Sequence, residues 1–116
     1  MDNMVAVSNS TPLIALSKIG KLGLLREYFE QIAIPQAVYD EVVVNGGVLY
    51  GAEEVAEANW IVVEAVGNSL VVEALSMYLG AGESEAIVLA KEKDCPLIID
   101  DGDLCDKNGC YLQMLD

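Results

Sequence analysis

Short apolar runs rich in β-branched residues recur along this chain, and each is followed by a segment of helical periodicity. That alternation limits the fold more than any other feature, because strands apolar on both sides need cover on both faces and the intervening helices supply it. The runs are Met4 to Ser8 (MVAVS), Ile32 to Ile34, Trp60 to Val66, and Pro96 to Ile99 (PLII). After the first, Ser10 or Thr11 can cap a helix with Pro12 at its first position. Leu13, Ile14, Leu16 and Ile19 form its apolar stripe and Gly20 ends it. A short helix then carries Leu22, Leu24 and Leu25. Beyond Pro35, AVYDEVVV sets Val38, Val42 and Val43 at helical spacing until Gly46-Gly47, and GAEEVAEA places Ala52, Val55 and Ala58 opposite three glutamates. Ser69 is expected to cap an apolar helix from Leu70 to Leu79 that is largely buried or forms a dimer contact. Gly80-Ala81-Gly82 stops it, and Glu83 to Lys93 forms a last helix with Ala86, Ile87 and Ala90 facing inward. The expected architecture is α/β: a three-layer α/β/α sandwich around a mainly parallel sheet. At 116 residues the whole chain, 1–116, reads as a single domain.

Composition narrows the chemistry. The chain has no histidine, which removes imidazole bases, Ser-His-Asp and Cys-His sites and HExxH zinc sites. Its three cysteines, Cys95, Cys105 and Cys110, contain no CxxC pair and suit a reducing compartment; they read as small buried hydrophobes or, at Cys105 and Cys110, semi-exposed thiols. Acid-base and metal chemistry therefore falls to carboxylates. Six basic residues against nineteen acidic ones leave a formal charge of −13, while 53% hydrophobic content argues against disorder. No basic leader opens the chain and charged residues interrupt every apolar run, so a cytoplasmic protein without a membrane span is expected.

In a parallel sheet of this kind ligands sit beyond the carboxyl ends of the strands. The residues to examine are therefore Ser8-Asn9-Ser10 after the first strand and Asp100-Asp101-Gly102-Asp103 after the fourth. Three carboxylates in four positions crowd one strand end. Two such charges ~4 Å apart repel by about 1 kcal/mol in water and about 4 kcal/mol at an effective dielectric of 20. A hard dication such as Mg²⁺ or Mn²⁺ relieves that repulsion through oxygen ligands. Taken alone, the run reads more simply as a solvated turn in which Asp103 caps the next helix. Glu41 and Glu85 each have an equally plain reading, as a polar helix position and as a negative charge in the first turn of the helix near Glu83. Glu83 and Glu85 point roughly 200° apart on a helix, so at most one of them faces a shared pocket. Lys18, Lys21 and Arg26 form the one basic cluster, readable as a phosphate contact or, more simply, as a solvated helix end. An acidic chain draws little affinity from counterion release, so nucleic-acid chemistry here would have to run through metal.

Four blocks in order, VSNSTPLIALSKIGKL, IPQAVYDEVV, LGAGESEAIVLAKE and LIIDDGDL, spanning residues 5 to 104, resemble the PIN-domain proteins. The resemblance is greatest to the small prokaryotic VapC-like branch beginning V-S-N/D-S/T-T-P-L-I. It implies an α/β/α fold and a Mg²⁺ or Mn²⁺-dependent endoribonuclease cutting single-stranded RNA, in many relatives the toxin of a toxin-antitoxin pair. The family's acids map onto Asn9, Glu41, Glu85 and Asp101, with Asp103 and Asp100 as acidic neighbours and Ser10 as the hydroxyl beside the first. On that mapping Glu41, Glu85, Asp101, Asp103 and Asp100 hold metal, Asn9 orients ligands and Ser10 meets substrate, while Lys18 and Lys21 of the basic cluster are the further candidates for substrate contact. Two departures stand out. Asn9 is neutral where many relatives have aspartate, and the final helix and strand are abbreviated, so that either the tail is short or another subunit completes the sheet edge. The resemblance thus also implies an antitoxin protein or a homodimer as candidate partners. An alternative is a catalytically impaired PIN-like interaction module. A receiver-type phosphoacceptor fits poorly, since Asn9 replaces its paired acids after the first strand and LIIDDGD offers no lysine.

Overall fold

The computed structural model describes residues 4–45, 50–101 and 111–115, with side chains described for 4–45 and 50–99. The first apolar run forms β1 (Val5–Ser8), which pairs in parallel with β2 (Gln31–Pro35) on one side and with β4 (Leu97–Asp101) on the other. β3 (Ile61–Glu64) adds in parallel to β2, and β5 (Tyr111–Leu115) adds antiparallel to β4, giving the order β3-β2-β1-β4-β5. At its centre, in β1, β2 and the start of β4, the sheet is buried on both faces, whereas β3 at the edge is half-buried to exposed. Ala6, Ile32, Ile34 and Ile98 join one apolar layer, whereas Val7, Ala33 and Leu97 join the other, as the alternation of strand side chains requires.

The first layer is built by α1 (Ser10–Lys18), a 3₁₀ turn (Leu22–Leu24) leading into α2 (Leu25–Tyr28), α3 (Gln36–Tyr39) and α4 (Ala52–Glu57). Leu13, Leu16, Leu25, Phe29, Val38 and Val55 fill it. The second is built by α6 (Ala81–Lys93), whose Ala86, Leu89 and Ala90 lie against Val7 and Ala33. Alanines on both sides let the helix approach the sheet closely. The result is the α/β/α sandwich that the alternation of periods predicts.

Several boundaries differ from the sequence reading for local physical reasons. Asn9, not Ser10 or Thr11, occupies the cap position of α1, so Pro12 is the third helical residue, where its missing N–H would have had no partner. Ile19 falls past the helix end and is exposed, and Gly20 at φ +70° turns the chain away. The helix of AVYDEVVV widens at Asp40 into a π-turn (Asp40–Val44), with Asn45 N donating to Asp40 O at 2.7 Å. Consecutive valines crowd a normal helical turn, and the wider turn relieves them.

α5 (Ser69–Leu75) departs most from expectation. None of its residues is buried, and Leu70 (76%), Met77 (77%) and Tyr78 (85%) in and after it are open to solvent. The helix sits on α6 rather than on the sheet, so only one side of an apolar sequence finds a partner: Val71 and Leu75 meet Ile87 and Val88 across a groove. Its cap is Asn68, whose side chain accepts from Val71 N at 3.3 Å, instead of Ser69. Glu92 of α6 clasps the entry to α5, accepting from Gly67 N at 2.9 Å and Asn68 N at 2.8 Å. Lys93 adds a salt bridge to Glu64 at the end of β3, 2.9 Å long.

At the far end, Asp100 and Asp101 lie inside β4 rather than after it. β5 occupies the outer edge of β4, so the chain itself supplies the strand for which a second subunit was one of the two expectations. Cys105 and Cys110 lie outside the described residues.

Candidate active site

Strand order fixes where a site can form. The chain moves from β1 to β2 to β3 in one direction and then returns to place β4 on the other side of β1. The order therefore reverses between β1 and β4, and a crevice opens there beyond the carboxyl ends of the strands. Asn9 follows β1 at this point, and its backbone N–H donates to Ile98 O of β4 at 3.3 Å. Asp100 and Asp101 continue β4 past Ile98 by its next rungs.

α1, α3 and α6 each begin at the same edge, since α1 and α3 start directly after β1 and β2 and α6 runs back down to the start of β4. Their first turns bring unpaired N–H groups to the crevice, a setting that favours carboxylates. Two acids use it reciprocally. Glu85, on α6, accepts a hydrogen bond from Ala37 N in the first turn of α3 through Oε1 at 3.1 Å. Glu41, at the start of the π-turn continuing α3, lays its carboxylate against Gly82 in the first turn of α6. Glu85 sits in the second turn of α6, two positions further along the helix than expected, because the helix already begins at Ala81. That later position lets it reach α3.

Asn9 contributes a different feature. Its Oδ1 is buried and has no hydrogen-bond partner among the described residues, although its residue caps α1, a place where such an oxygen normally accepts from the helix. A buried amide oxygen without a partner costs roughly 1–3 kcal/mol, which marks a position that a ligand can satisfy. Ser8, fully buried just before it, donates its hydroxyl to Asn9 O at 2.9 Å and holds the turn. Ser10 opens α1 half-buried beside it.

The other residues expected at the site lie elsewhere or are placed less fully. Asp103 lies outside the described residues, and Asp100 and Asp101 are placed by backbone alone, in β4. Lys18 and Lys21 are exposed at the far end of α1, eight residues and so about 12 Å of helix from Ser10 to Lys18. Arg26, the third member of that basic cluster, sits over the Trp60 ring 5.9 Å from its centroid. Burial pushes the Cys95 thiol up, opposed by the nearby Lys93 charge, so it stays protonated at neutral pH and offers no nucleophile.

The donor set around the crevice consists of carboxylate and amide oxygens with no imidazole, which fits a hard divalent cation. Among the described residues no three acids or cysteines gather closely enough to hold an ion. Glu41 and Glu85 lie between α3 and α6, and the Asn9 oxygen lies between the end of β1 and the start of α1. Sequence reasoning singled out Asn9, Glu41 and Glu85 but not Gly82, Ala37 or the fully buried Ser84 in α6, whose hydroxyl also has no partner among the described residues. The glycine in LGAGESEA was the available signal, read there only as a helix stop.

A family model described as a PIN domain matches residues 5–105, nearly the whole of the described chain. No curated protein and no solved structure matches it.

Proposed function

Because the chain belongs to the PIN-domain family, we propose that it is a divalent-metal-dependent endoribonuclease acting on single-stranded RNA. Two observations support this reading: the Asn9 side-chain oxygen, buried and without a partner among the described residues at the β1/β4 reversal, and the Glu41 and Glu85 carboxylates between α3 and α6, which begin at the same edge of the sheet. Glu41, Glu85 and Asp101 would hold Mg²⁺ or Mn²⁺, with Asp100 and Asp103 adding negative charge at the end of β4. A bound dication supplies neutralisation of the crowded carboxylates and polarisation of a phosphoryl oxygen. Asn9 orients the ligands from the floor of the crevice, and Ser10 presents its hydroxyl toward the phosphate. The first turns of α1, α3 and α6 add positive potential where the phosphate charge grows in the transition state.

Lys18 and Lys21 meet phosphates that flank the reacting one, further along α1. Alanine at both positions should raise KM with little change in kcat, and should lower the salt slope of RNA binding by roughly 0.7 per lost phosphate contact. The same expectation distinguishes them from a solvated helix end, which would change neither.

Asp101→Asn is the direct test. It should abolish Mn²⁺-dependent cleavage of single-stranded RNA while leaving the protein folded; undiminished cleavage would remove the catalytic assignment. The VapC-like branch, an antitoxin partner, a homodimer and a cytoplasmic setting belong to the same reading. A second reading, a PIN-like domain that no longer cleaves and serves in protein interaction, is favoured by the neutral Asn9 and by the apolar exposure of α5. It requires that the protein bind Mn²⁺ at no specific site.

A further inference from the structure

Gly82 stands in the first turn of α6 with ordinary helical backbone, so nothing in its φ demands glycine. Space does. A Cβ built there would lie 2.9 Å from both the Cδ and Oε2 of Glu41, well inside van der Waals contact. Its neighbour Gly80, also at the entry to α6, would place a Cβ in open space, with nothing within 4 Å. The bare backbone of Gly82 is thus the surface on which the Glu41 carboxylate rests. We infer that Gly82 is a positioning residue: its missing side chain sets where the Glu41 carboxylate lies at the crevice. The role in metal binding rests on the ribonuclease reading, whereas the placement of Glu41 does not.

The physical consequence is a separation of function from stability. An added methyl at position 82 meets no backbone and no core side chain among its nearest neighbours, only the mobile end of a three-torsion glutamate. The carboxylate swings aside at little cost, and alanine is the better helix former. Stability should therefore hold or rise while the acid leaves its place. Glu85 is unaffected, since its bond to Ala37 N lies across the other end of the same helix contact.

Three proteins test this: wild type, Gly82→Ala and Gly80→Ala, all purified without metal. Side-chain carboxyl carbon resonances, with Glu41 assigned by the loss of its signal in Glu41→Gln, report the carboxylate directly. Titration calorimetry with MnCl₂ reports affinity, and thermal unfolding reports the fold. Gly82→Ala should move the Glu41 resonance and weaken Mn²⁺ binding roughly tenfold or more, with Tm equal to or above that of wild type. Gly80→Ala should change none of the three. An unmoved Glu41 resonance in Gly82→Ala overturns the inference. If wild type itself takes up no Mn²⁺, the metal reading fails while the resonance still decides the role of Gly82. Should Gly82→Ala unfold, Gly82→Ala/Glu41→Asp shortens the displaced side chain; recovery of Tm supports the inference, and no recovery places the overlap in the backbone and overturns it.

Discussion

The Asn9 side-chain oxygen is buried at a strand end and has no hydrogen-bond partner among the described residues; a polar atom left so in a folded protein calls for a partner, which in the proposed reading is an ion or its ligands. Replacing Asn9 with aspartate adds one unit of negative charge next to β4, in the crevice to which the proposed site assigns Glu41 and Glu85. Like charges in a partly buried crevice repel, so Asn9→Asp should lower Tm without metal and raise Mn²⁺ affinity by roughly tenfold, each ~1.4 kcal/mol of extra attraction giving one decade. Calorimetry and thermal unfolding of the variant check both signs. An equal or weaker affinity would place position 9 away from the ion. The strand ends at which these acids were sought were legible in the sequence to within a residue or two, although Asp100 and Asp101 fall inside β4 and Glu85 in the second turn of α6. The close approach of Gly82 to Glu41 was not, because it arises from the angle at which α3 and α6 meet, which no local pattern encodes.

The elements sort into those anchored by the sheet and those hung upon other helices. β1, β2 and β4 were readable as short apolar runs because both of their faces are covered, and α6 was readable because its alanines face in. α5 misled because apolar composition alone cannot tell burial from one-sided packing; lying on α6, it leaves half its surface in water. Its attachment depends on polar contacts, chiefly the Glu92 clasp on Gly67 and Asn68. Hydrogen bonds to a charged group are worth about 1.5–3 kcal/mol when buried and less at an exposed site such as this. Glu92→Ala should therefore speed amide exchange in residues 69–75 by about tenfold while exchange in β1 and β2 stays unchanged, since local opening there draws on a lower free energy than global unfolding. Uniform acceleration across the chain would instead make α5 part of the cooperative core. The π-turn after α3 belongs to this scale too. β-branched residues hinted at strain in that helix, but the widened turn at Asp40 was visible only in three dimensions.

Across the whole molecule the formal net charge is −13. Acidity that would oppose passive RNA binding becomes serviceable once a dication bridges carboxylate and phosphate. In the proposed site such an ion would bind only the folded arrangement, because Glu41, Glu85 and Asp101 are distant in sequence. The fold itself followed from period changes along the chain, whereas the reversal between β1 and β4, where the site is proposed, depends on strand order. The most direct measurement is titration of MnCl₂ into the metal-free protein, in wild type and in Glu41→Gln, Glu85→Gln and Asp101→Asn. One saturable site per chain is expected, weakened by each substitution. No site in wild type, or a site that all three variants leave intact, would contradict the assignment of these acids to a shared ion.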